Sequence, residues 1–491
     1  MFYLNSNLSN RITVFFFTLL MALYSLPIVL TDRPYIDDLG RTLYGYTGWG
    51  ANGRPLSDIV MQVMSFGGLL LDLSPLNQML GIVLICLTLY FYCLKNFKNI
   101  NTAGIFITIF LFLANPYYIE NISYKYDSLP MALSMVMLIL PFIIKNEHYA
   151  SKILSIAFVF ASLSFYQASI GLFAILTVIE IIANNIENGN KKVFLSIANR
   201  TMQLIIGFIL YKILIAPNFV EGEYNLVHSQ TIPLSQDSIH IVKDNIIQVY
   251  WFLNAYLVTV PLFLKIIVSC AISYSLISDC TALCKSSVKN NLLSILITLS
   301  SPVLVVFLAL APLVMLKNPV FAPRVLLALS GVIILYTYLI LKNLKSPYIQ
   351  SIIFIPVIWL SMVYSYAYST SSKSQASLDT LISSSIFQEV THYGRDFKYV
   401  NVNGVMPNAS QLKISISKFP LMSKLIPIYL NYDWLWGAEL LNHYGMNLQY
   451  KVLTKEQQDF ICKGDKISKG GLYSLYAYND ILLIDFKNTK C

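Results

Sequence analysis

Long apolar runs alternate with short polar stretches over the first three quarters of the chain. An apolar run of roughly 20 residues is long enough to cross the hydrocarbon core of a bilayer as a helix. The pattern predicts about eleven such spans, near residues 12–31, 76–94, 101–118, 129–144, 150–166, 168–186, 201–217, 246–275, 292–316, 325–342 and 349–369. In the long segment 246–275, Pro261 and Lys265 leave two interpretations open: one tilted span, or a span plus an interfacial helix.

Composition strengthens the membrane interpretation. The chain has 491 residues, of which 56% are hydrophobic and only 12% charged, and its mean hydropathy is +0.61. Soluble globular proteins are far less apolar. The first run follows the basic Arg11 but is too long for a signal peptide, and no small-residue cleavage site follows it, which predicts a retained anchor. The fold class predicted is therefore a polytopic α-helical membrane protein.

The net charge of +9 comes from lysines and arginines scattered through short loops. They are not clustered with aromatic residues, so the charge does not indicate a nucleic-acid partner. The loops that lie inside when the N-terminus is inside contain more of these cations, for example Lys95, Lys98, Lys191 and Lys192. The positive-inside rule then predicts a cytoplasmic N-terminus and an outside C-terminus.

Two outside segments are longer than a connection requires. In 32–75, the apolar residues Leu56, Ile59, Val60 and Val63 recur at helical spacing, which predicts an amphipathic helix on the outer membrane surface. We count this loop with the membrane domain, 1–369.

The second long segment is the C-terminal tail, 370–491, where hydropathy falls. Alternating apolar and polar residues predict strands in "KYVNVNG" and "YKVLT" and a hairpin around Asn479. The stretch "YDWLWGAELLNHYG" predicts a helix that ends at Gly445. A small outside α/β domain is expected, joined to the membrane by the Ser-rich linker "YSTSSKSQAS". Cys462 and Cys491 are the two cysteines of this tail, where a disulfide could form.

The first outside loop begins with an unusual concentration of charge, "YIDDLGRTLYGYTGWGANGRPLSDIV". On a helical segment Asp37 and Asp38 can both face Arg41, at spacings of four and three residues. Two carboxylates that share a partly desolvated site repel each other, and one then gains the proton affinity that a general base needs. An interfacial salt-bridge cluster without chemistry explains the same residues.

Further charges lie at the ends of outside spans. Glu120, Lys125 and Asp127 stand among tyrosines in "NPYYIENISYKYDSLP", and Arg54 and Arg324 are in two other outside loops. Each arginine either anchors a helix end or binds a lipid phosphate at headgroup depth, which suits the arginine fork.

The tail offers two flat rings. Trp434 and Trp436 either stack against sugar rings or belong to the core of the small domain or the membrane interface.

Several enzyme classes lack their signatures here. The sequence has no Gly-rich dinucleotide loop, P-loop, HExxH or GxSxG motif, and its five histidines are scattered. We predict no metal and no cofactor. Few charges lie within spans, whereas an ion-coupled transporter needs ionisable groups near the bilayer centre.

The stretches "YIDDLGRTLYGYTGWGANGRPLSDIV" and "NPYYIENISYKYDSLPMALS" resemble the serotype-converting O-antigen glucosyltransferases of the Gtr type, close to the type II group. The plan of many spans followed by an outside C-terminal domain is also similar and covers the whole chain. The motif match covers roughly the first 135 residues.

The resemblance implies a GT-C type fold and a reaction on the periplasmic face of the bacterial inner membrane. The donor would be undecaprenyl phosphate glucose, and the acceptor a sugar hydroxyl of a lipid-linked O-antigen. Carried onto this sequence, the acidic pair of the family is Asp37 and Asp38, and the arginine of the same motif is Arg41.

Roles for the remaining residues follow from this chemistry. Asp37 or Asp38 would be the base, and Arg41, Arg54, Lys125 or Arg324 would bind the donor phosphate. Glu120 or Asp127 would position the acceptor, with Trp434 and Trp436 in the tail. In-line attack would invert the anomeric centre. A transporter or flippase for a lipid-linked glycan, or an O-antigen polymerase, is the alternative function.

Overall fold

A computed structural model describes residues 2–144, 148–184, 189–233, 238–432, 434–452, 460–487 and 489, without the side chains of 2–9, 460 and 461. Contacts divide the chain into two compact units. We call the first, Met1–Leu30, Thr47–Gly67 and Leu73–Tyr366, the helical unit. The second, Thr31–Tyr46, Gly68–Asp72 and Ala367–Cys491, is the sheet unit.

The helical unit consists of helices and short turns, because an apolar run can satisfy its backbone polar groups internally only as a helix. Its helices are Phe2–Val29, Pro55–Met64, Leu76–Asn96, Thr102–Leu113, Ile119–Ser123, Ser128–Ile139, Tyr149–Phe165, Gly171–Ala183, Asn190–Leu214, Ala216–Phe219, Glu223–Ser229, Ser238–Leu257, Leu262–Val314, Leu329–Asn343 and the first part of Pro347–Tyr393.

Five helices among the described residues are long and apolar enough to cross a membrane: Asn10–Val29, Leu76–Asn96, Asn190–Phe219, Leu262–Val314 and Pro347–Tyr393. A sixth is added if Thr102–Leu113 and Pro116–Ser123, which meet at 54°, form one broken span. Four shorter apolar helices, Ser128–Phe142, Tyr149–Phe165, Gln167–Ala183 and Leu329–Asn343, coincide with predicted spans. These are the helices of a multi-pass membrane protein.

The segment 246–275 is not one tilted span. Helix Ser238–Leu257 ends there and a new helix, Leu262–Val314, begins directly after Pro261, whose missing N–H suits a helix start. The second helix is itself interrupted at Ser287, where the backbone is extended (φ −178°, ψ 113°). Two helices of membrane-crossing length therefore follow each other through this break.

The sheet unit contains a five-stranded mixed sheet. Its strands are β1 (Tyr399–Asn403), β2 (Gln449–Tyr450), β3 (Asp465–Lys469), β4 (Ser474–Tyr478) and β5 (Ile481–Asp485), in the order β2-β1-β5-β4-β3. β1 runs parallel to β2 and β5, and β3, β4 and β5 are antiparallel. The predicted strand over 398–404 and the hairpin turn at Asn479 (φ 51°) are confirmed. The prediction missed β3, whose "DKISK" sequence is mostly charged.

The helices of the sheet unit are Asp38–Tyr44, the second part of Pro347–Tyr393, Ser410–Lys418, Met422–Leu425, Trp436–Asn442 and Phe460–Lys463. One sheet face, with Val400 and Leu482, packs with Ile382 and Ile386 of the long helix in a buried core. The predicted helix near 432–445 is confirmed, and Gly445 follows it with φ +89°.

The predicted Ser-rich linker is wrong, because those residues are helical within Pro347–Tyr393. Their hydroxyl and amide groups find partners that a loop assignment does not anticipate. Ser371 Oγ donates to Ser415 Oγ at 2.7 Å, and Gln375 Nε2 donates to Asp379 Oδ1 at 3.1 Å. The polar composition therefore serves tertiary contacts and not a flexible connection.

Cys462 takes part in a disulfide bond, and Cys491 lies outside the described residues. Cys86, Cys93, Cys270, Cys280 and Cys284 are free thiols.

Candidate active site

The predicted site residues fall into two groups. Asp37, Asp38, Arg41, Trp434 and Trp436 belong to the sheet unit. Arg54, Glu120, Lys125, Asp127 and Arg324 belong to the helical unit.

The two neighbouring aspartates have different surroundings. Asp38 is the first residue of helix Asp38–Tyr44, is fully buried, and accepts a hydrogen bond from the backbone N–H of Tyr35 at 3.1 Å. The Asp37 side chain is 41% exposed, and its Oδ2 lies 3.9 Å from Nη1 of the buried Arg41. The pair expected from the spacing of Asp37 and Arg41 is therefore present, and Asp37 is the aspartate that a substrate can reach.

A buried ion pair holds the chain just before these residues. Arg33 donates to Asp379 Oδ2 from Nε at 3.1 Å and from Nη2 at 2.8 Å, and its Nη2 also donates to the carbonyl of Pro427 at 2.7 Å. Burial, the largest influence, lowers the pKa of Arg33, but the charge and hydrogen bonding of Asp379 together with the phenols of Tyr429 and Tyr368 outweigh it, and the pKa is raised. The guanidinium stays charged in a dry environment.

Tyrosines complete this anchor. Tyr429 lies 4.6 Å below the Arg33 guanidinium, donates from its hydroxyl to the carbonyl of Pro34 at 2.7 Å and accepts from the N–H of Ile36 at 3.1 Å. The Tyr35 hydroxyl donates to the carbonyl of Leu425 at 3.0 Å. The backbone that presents Asp37 is thereby fixed at each residue from 33 to 36. No local pattern in the sequence indicates this anchor, because its partners are distant in the chain.

In the helical unit, Glu120 and Arg324 form an ion pair. Glu120 is 1% exposed and accepts from Arg324 Nη1 at 2.6 Å and from the Arg324 backbone N–H at 2.7 Å. Both carboxylate oxygens are used. Two residues predicted to bind different substrates therefore bind each other, and Glu120 holds Arg324 at the start of its turn.

Asp127 accepts a hydrogen bond from the indole N–H of Trp49 at 2.7 Å, and both side chains are buried. The loop that carries Trp49 is closed by Asp58, whose Oδ1 accepts from the N–H groups of Gly48 and Trp49 at 3.0 and 3.1 Å. Lys125 is buried, and its carbonyl accepts from an asparagine amide. The bond between Trp49 and Asp127 holds the loop of residues 48–58 against the segment around Asp127.

Arg54 is oriented by two residues that sequence analysis missed. Its Nε donates to Gln167 Oε1 at 3.0 Å, and its guanidinium lies 4.4 Å above the ring of Tyr166. Gln167 Nε2 in turn donates to the carbonyl of Gly53 and to the Tyr211 hydroxyl, at 3.1 and 2.8 Å. In the sequence, Gln167 stands alone between two apolar runs, and this position was the feature that could have indicated its role.

Tyr166 links these contacts. Its phenol lies within electrostatic range of four of the charges, and its hydroxyl is 3.4 Å from the Arg324 carbonyl. We call the residues around it the polar cluster of the helical unit: Arg54, Glu120, Asp127, Tyr166, Gln167 and Arg324. The cluster carries two guanidinium and two carboxylate groups at the ends of apolar helices.

The two tryptophans of the tail are partly buried against the core of the sheet unit. The Trp434 ring stacks on Tyr429, with centroids 5.9 Å apart. Trp436 begins helix Trp436–Asn442. These contacts favour the core interpretation for Trp434.

Comparison with known proteins places the chain among related sequences. Residues 26–335 match the family model described as Glucosyl transferase GtrII. The chain is 31% identical over 500 residues to a protein of Salmonella phage P22 described as an uncharacterized 55.3 kDa protein in the gtrB 5′ region, covering 98% of this chain and 99% of that protein. No solved structure matches the chain.

Proposed function

Because the chain belongs to the glucosyl transferase GtrII family, we propose that it transfers glucose from undecaprenyl phosphate glucose to a sugar hydroxyl of the lipopolysaccharide O-antigen. The reaction takes place on the periplasmic face of the bacterial inner membrane and changes the serotype. The partners are the lipid-linked donor, a lipid-linked acceptor and the bilayer.

The proposed topology is a GT-C type arrangement of about eleven crossings in 1–369, with a periplasmic domain in 370–491. Support for this number comes from the break at Ser287, which divides Leu262–Val314 into two helices of crossing length, and from the four shorter apolar helices. The N-terminus is cytoplasmic and the C-terminus periplasmic, as the distribution of Lys and Arg predicts.

Helix Pro55–Met64 supports a membrane-surface role for the first loop. Its apolar side chains Ile59 and Val63 are 53% and 67% exposed, whereas Ser57 and Met61 on the other face are buried. An exposed apolar helix face next to membrane-length helices suits the boundary between headgroups and acyl chains.

The observation that carries the mechanism is the accessible Asp37 carboxylate beside the buried Arg41. Asp37 accepts the proton of the acceptor hydroxyl as its oxygen attacks the anomeric carbon of glucose. The bond from that carbon to the phosphate oxygen breaks, and undecaprenyl phosphate leaves with the electron pair. A phosphate is a good leaving group, so no general acid is required, and attack opposite to it inverts the anomeric centre.

Asp38 has a positioning role in this proposal, because its buried carboxylate accepts a hydrogen bond from the backbone N–H of Tyr35. Trp436 remains a candidate for contact with the acceptor, whereas the Trp434 ring stacks on Tyr429 and the buried Asp127 carboxylate accepts from the Trp49 indole. Glu120 acts by holding Arg324.

Arg54 is the strongest candidate for the donor phosphate. The carboxylate of Glu120 occupies Arg324, and that of Asp37 lies beside Arg41. Arg54 is held by an amide and an aromatic ring, and within the described ranges no carboxylate forms an ion pair with it. A guanidinium without a carboxylate partner keeps its full charge for a phosphate.

The test is transfer of labelled glucose from undecaprenyl phosphate glucose to lipid-linked O-antigen by the purified protein in detergent. The expected product carries one additional hexose per repeat by mass spectrometry. A transporter makes no new glycosidic bond, and a polymerase lengthens the chain without changing the mass of a repeat, so either result overturns the proposal.

A further inference from the structure

An apolar groove runs between helices Tyr149–Phe165 and Asn190–Leu214 of the helical unit. Its volume is about 200 Å³, and it is lined by Ile153, Ile156, Ala157, Phe160, Leu210 and Leu214. The two helices touch beside it, because a side chain at Gly207 would meet Val159 Cβ at 2.7 Å. The groove is open to the protein surface and has no polar side chain in its lining.

The same two helices are connected to Arg54 by hydrogen bonds. Gln167 follows the first helix by two residues, and Tyr211 lies on the second helix between Leu210 and Leu214. Their side chains meet, since Gln167 Nε2 donates to the Tyr211 hydroxyl at 2.8 Å. Gln167 Oε1 accepts from Arg54 Nε at 3.0 Å, so one amide joins the helix pair to the guanidinium.

The orientation of Arg54 suits an anion. The hydrogen bond to Gln167 comes from Arg54 Nε, and the Tyr166 ring covers one face of the guanidinium. This leaves the two terminal nitrogens of Arg54 for another partner. These nitrogens are the pair that binds two phosphate oxygens in a fork. The arrangement thus joins the Arg54 guanidinium, through Gln167, to the helix pair that lines the apolar groove.

We propose that the groove holds the phosphate-proximal isoprene units of the donor's polyprenyl chain, that Arg54 binds its phosphate, and that Gln167 is the positioning residue that aims Arg54. The inference rests on the proposed function. A single-chain anionic lipid matches both features, since the chain buries apolar surface in the groove while its phosphate meets the cation. The groove volume accommodates only a few units, and the rest of the chain lies in the bilayer.

The test compares two donors, undecaprenyl phosphate glucose and methyl phosphate glucose, which carries no isoprene unit. Ala157 is exposed in the groove, and A157F fills part of it. We expect A157F to raise KM for the long donor about tenfold, a loss of about 1.4 kcal/mol, and to raise KM for the short donor much less. A198F is the matched control, because Ala198 is an exposed alanine on the second helix outside the groove lining. An equal change with both donors, or no change, overturns the groove assignment.

Gln167 is tested by Q167L and Q167E. Q167L removes the acceptor for Arg54 Nε and should raise KM for both donors with little change in kcat. Q167E keeps an acceptor oxygen but gives Arg54 a carboxylate partner that competes with the phosphate, so it should raise KM as well. R54Q should raise KM for both donors at least as much as Q167L. A fall in kcat alone, or a KM in Q167E equal to that of the wild-type protein, contradicts the positioning role.

Binding of undecaprenyl phosphate, measured by native mass spectrometry of the full-length protein, separates this inference from the proposed function. A157F and R54Q should each weaken binding, and phosphatidylglycerol should not compete. Equal competition by phosphatidylglycerol makes the groove a general lipid site and overturns the inference. If the wild-type protein transfers no glucose but binds undecaprenyl phosphate through Arg54 and the groove, the proposed function fails and the inference stands.

Discussion

Arg33 and Asp379 are 346 positions apart, yet Arg33 donates two hydrogen bonds to one oxygen of Asp379. Both side chains are 4% exposed. This pair joins the segment that carries Asp37 to the long helix Pro347–Tyr393, within the sheet unit. The conformation of the catalytic candidate therefore depends on a contact that is remote in the chain.

Removing one partner of this pair should destabilise the sheet unit. D379N leaves the Arg33 charge buried with a weaker acceptor, and breaking such a pair costs about 3 to 5 kcal/mol. Thermal unfolding and limited proteolysis of the purified protein measure the effect. D396N, at an exposed aspartate of the same unit, is the control and should behave as wild type. A D379N protein as stable as D396N would show that the pair contributes little.

The two adjacent aspartates should give different phenotypes. D37N is expected to lower kcat by about 10²- to 10⁴-fold, the usual contribution of a positioned base, without changing the melting temperature. D38N should lower the melting temperature, because its buried carboxylate accepts from the Tyr35 N–H. Glucosyl transfer and thermal unfolding are measured on the same preparations. Near-full activity of D37N would remove it from the catalytic role.

Glu439 predicts a pH dependence of stability. Burial raises the pKa of this carboxyl above its ordinary 4.5, and a hydrogen bond from Tyr44 only partly offsets this. The folded state therefore binds the proton more tightly than the unfolded state, and the free energy of unfolding falls as pH rises from 4.5 through the raised pKa.

E439Q removes this titration. We expect it to raise the melting temperature at pH 7 and to have little effect below pH 4.5, where the wild-type carboxyl is protonated in both states. Thermal unfolding across this range is the measurement. D465N, at an exposed aspartate of β3, should give no pH-dependent gain. A gain for E439Q that is constant with pH would contradict an origin in its ionisation.

The proposed topology predicts the behaviour of reporter fusions. A reporter active only in the periplasm should be active when fused after residue 491 and silent when inserted within 187–200, because these positions lie on opposite sides of the membrane. Western blots of both fusions control for expression. The reverse pattern would place Asp37 in the cytoplasm, away from a periplasmic donor.

The sequence alone determined what depends on neighbouring residues. Apolar runs predicted the membrane-length helices, since a bilayer core permits few other backbone conformations. Alternation and turn residues predicted β1 and the hairpin at Asn479, and the spacing of Asp37 and Arg41 predicted their contact. The loop motifs also resembled the family to which the chain belongs.

Only the tertiary structure decided which distant charges meet. Arg324 and Glu120 are 204 positions apart, and Arg54 and Gln167 are 113 apart. No local period encodes such pairings, because they arise when helices pack and bring buried polar groups within hydrogen-bonding distance. The same reason explains why the Ser-rich segment is helical, although its composition taken alone predicts a loop. Its polar groups are satisfied by residues such as Ser415, and this makes the helix the stable form.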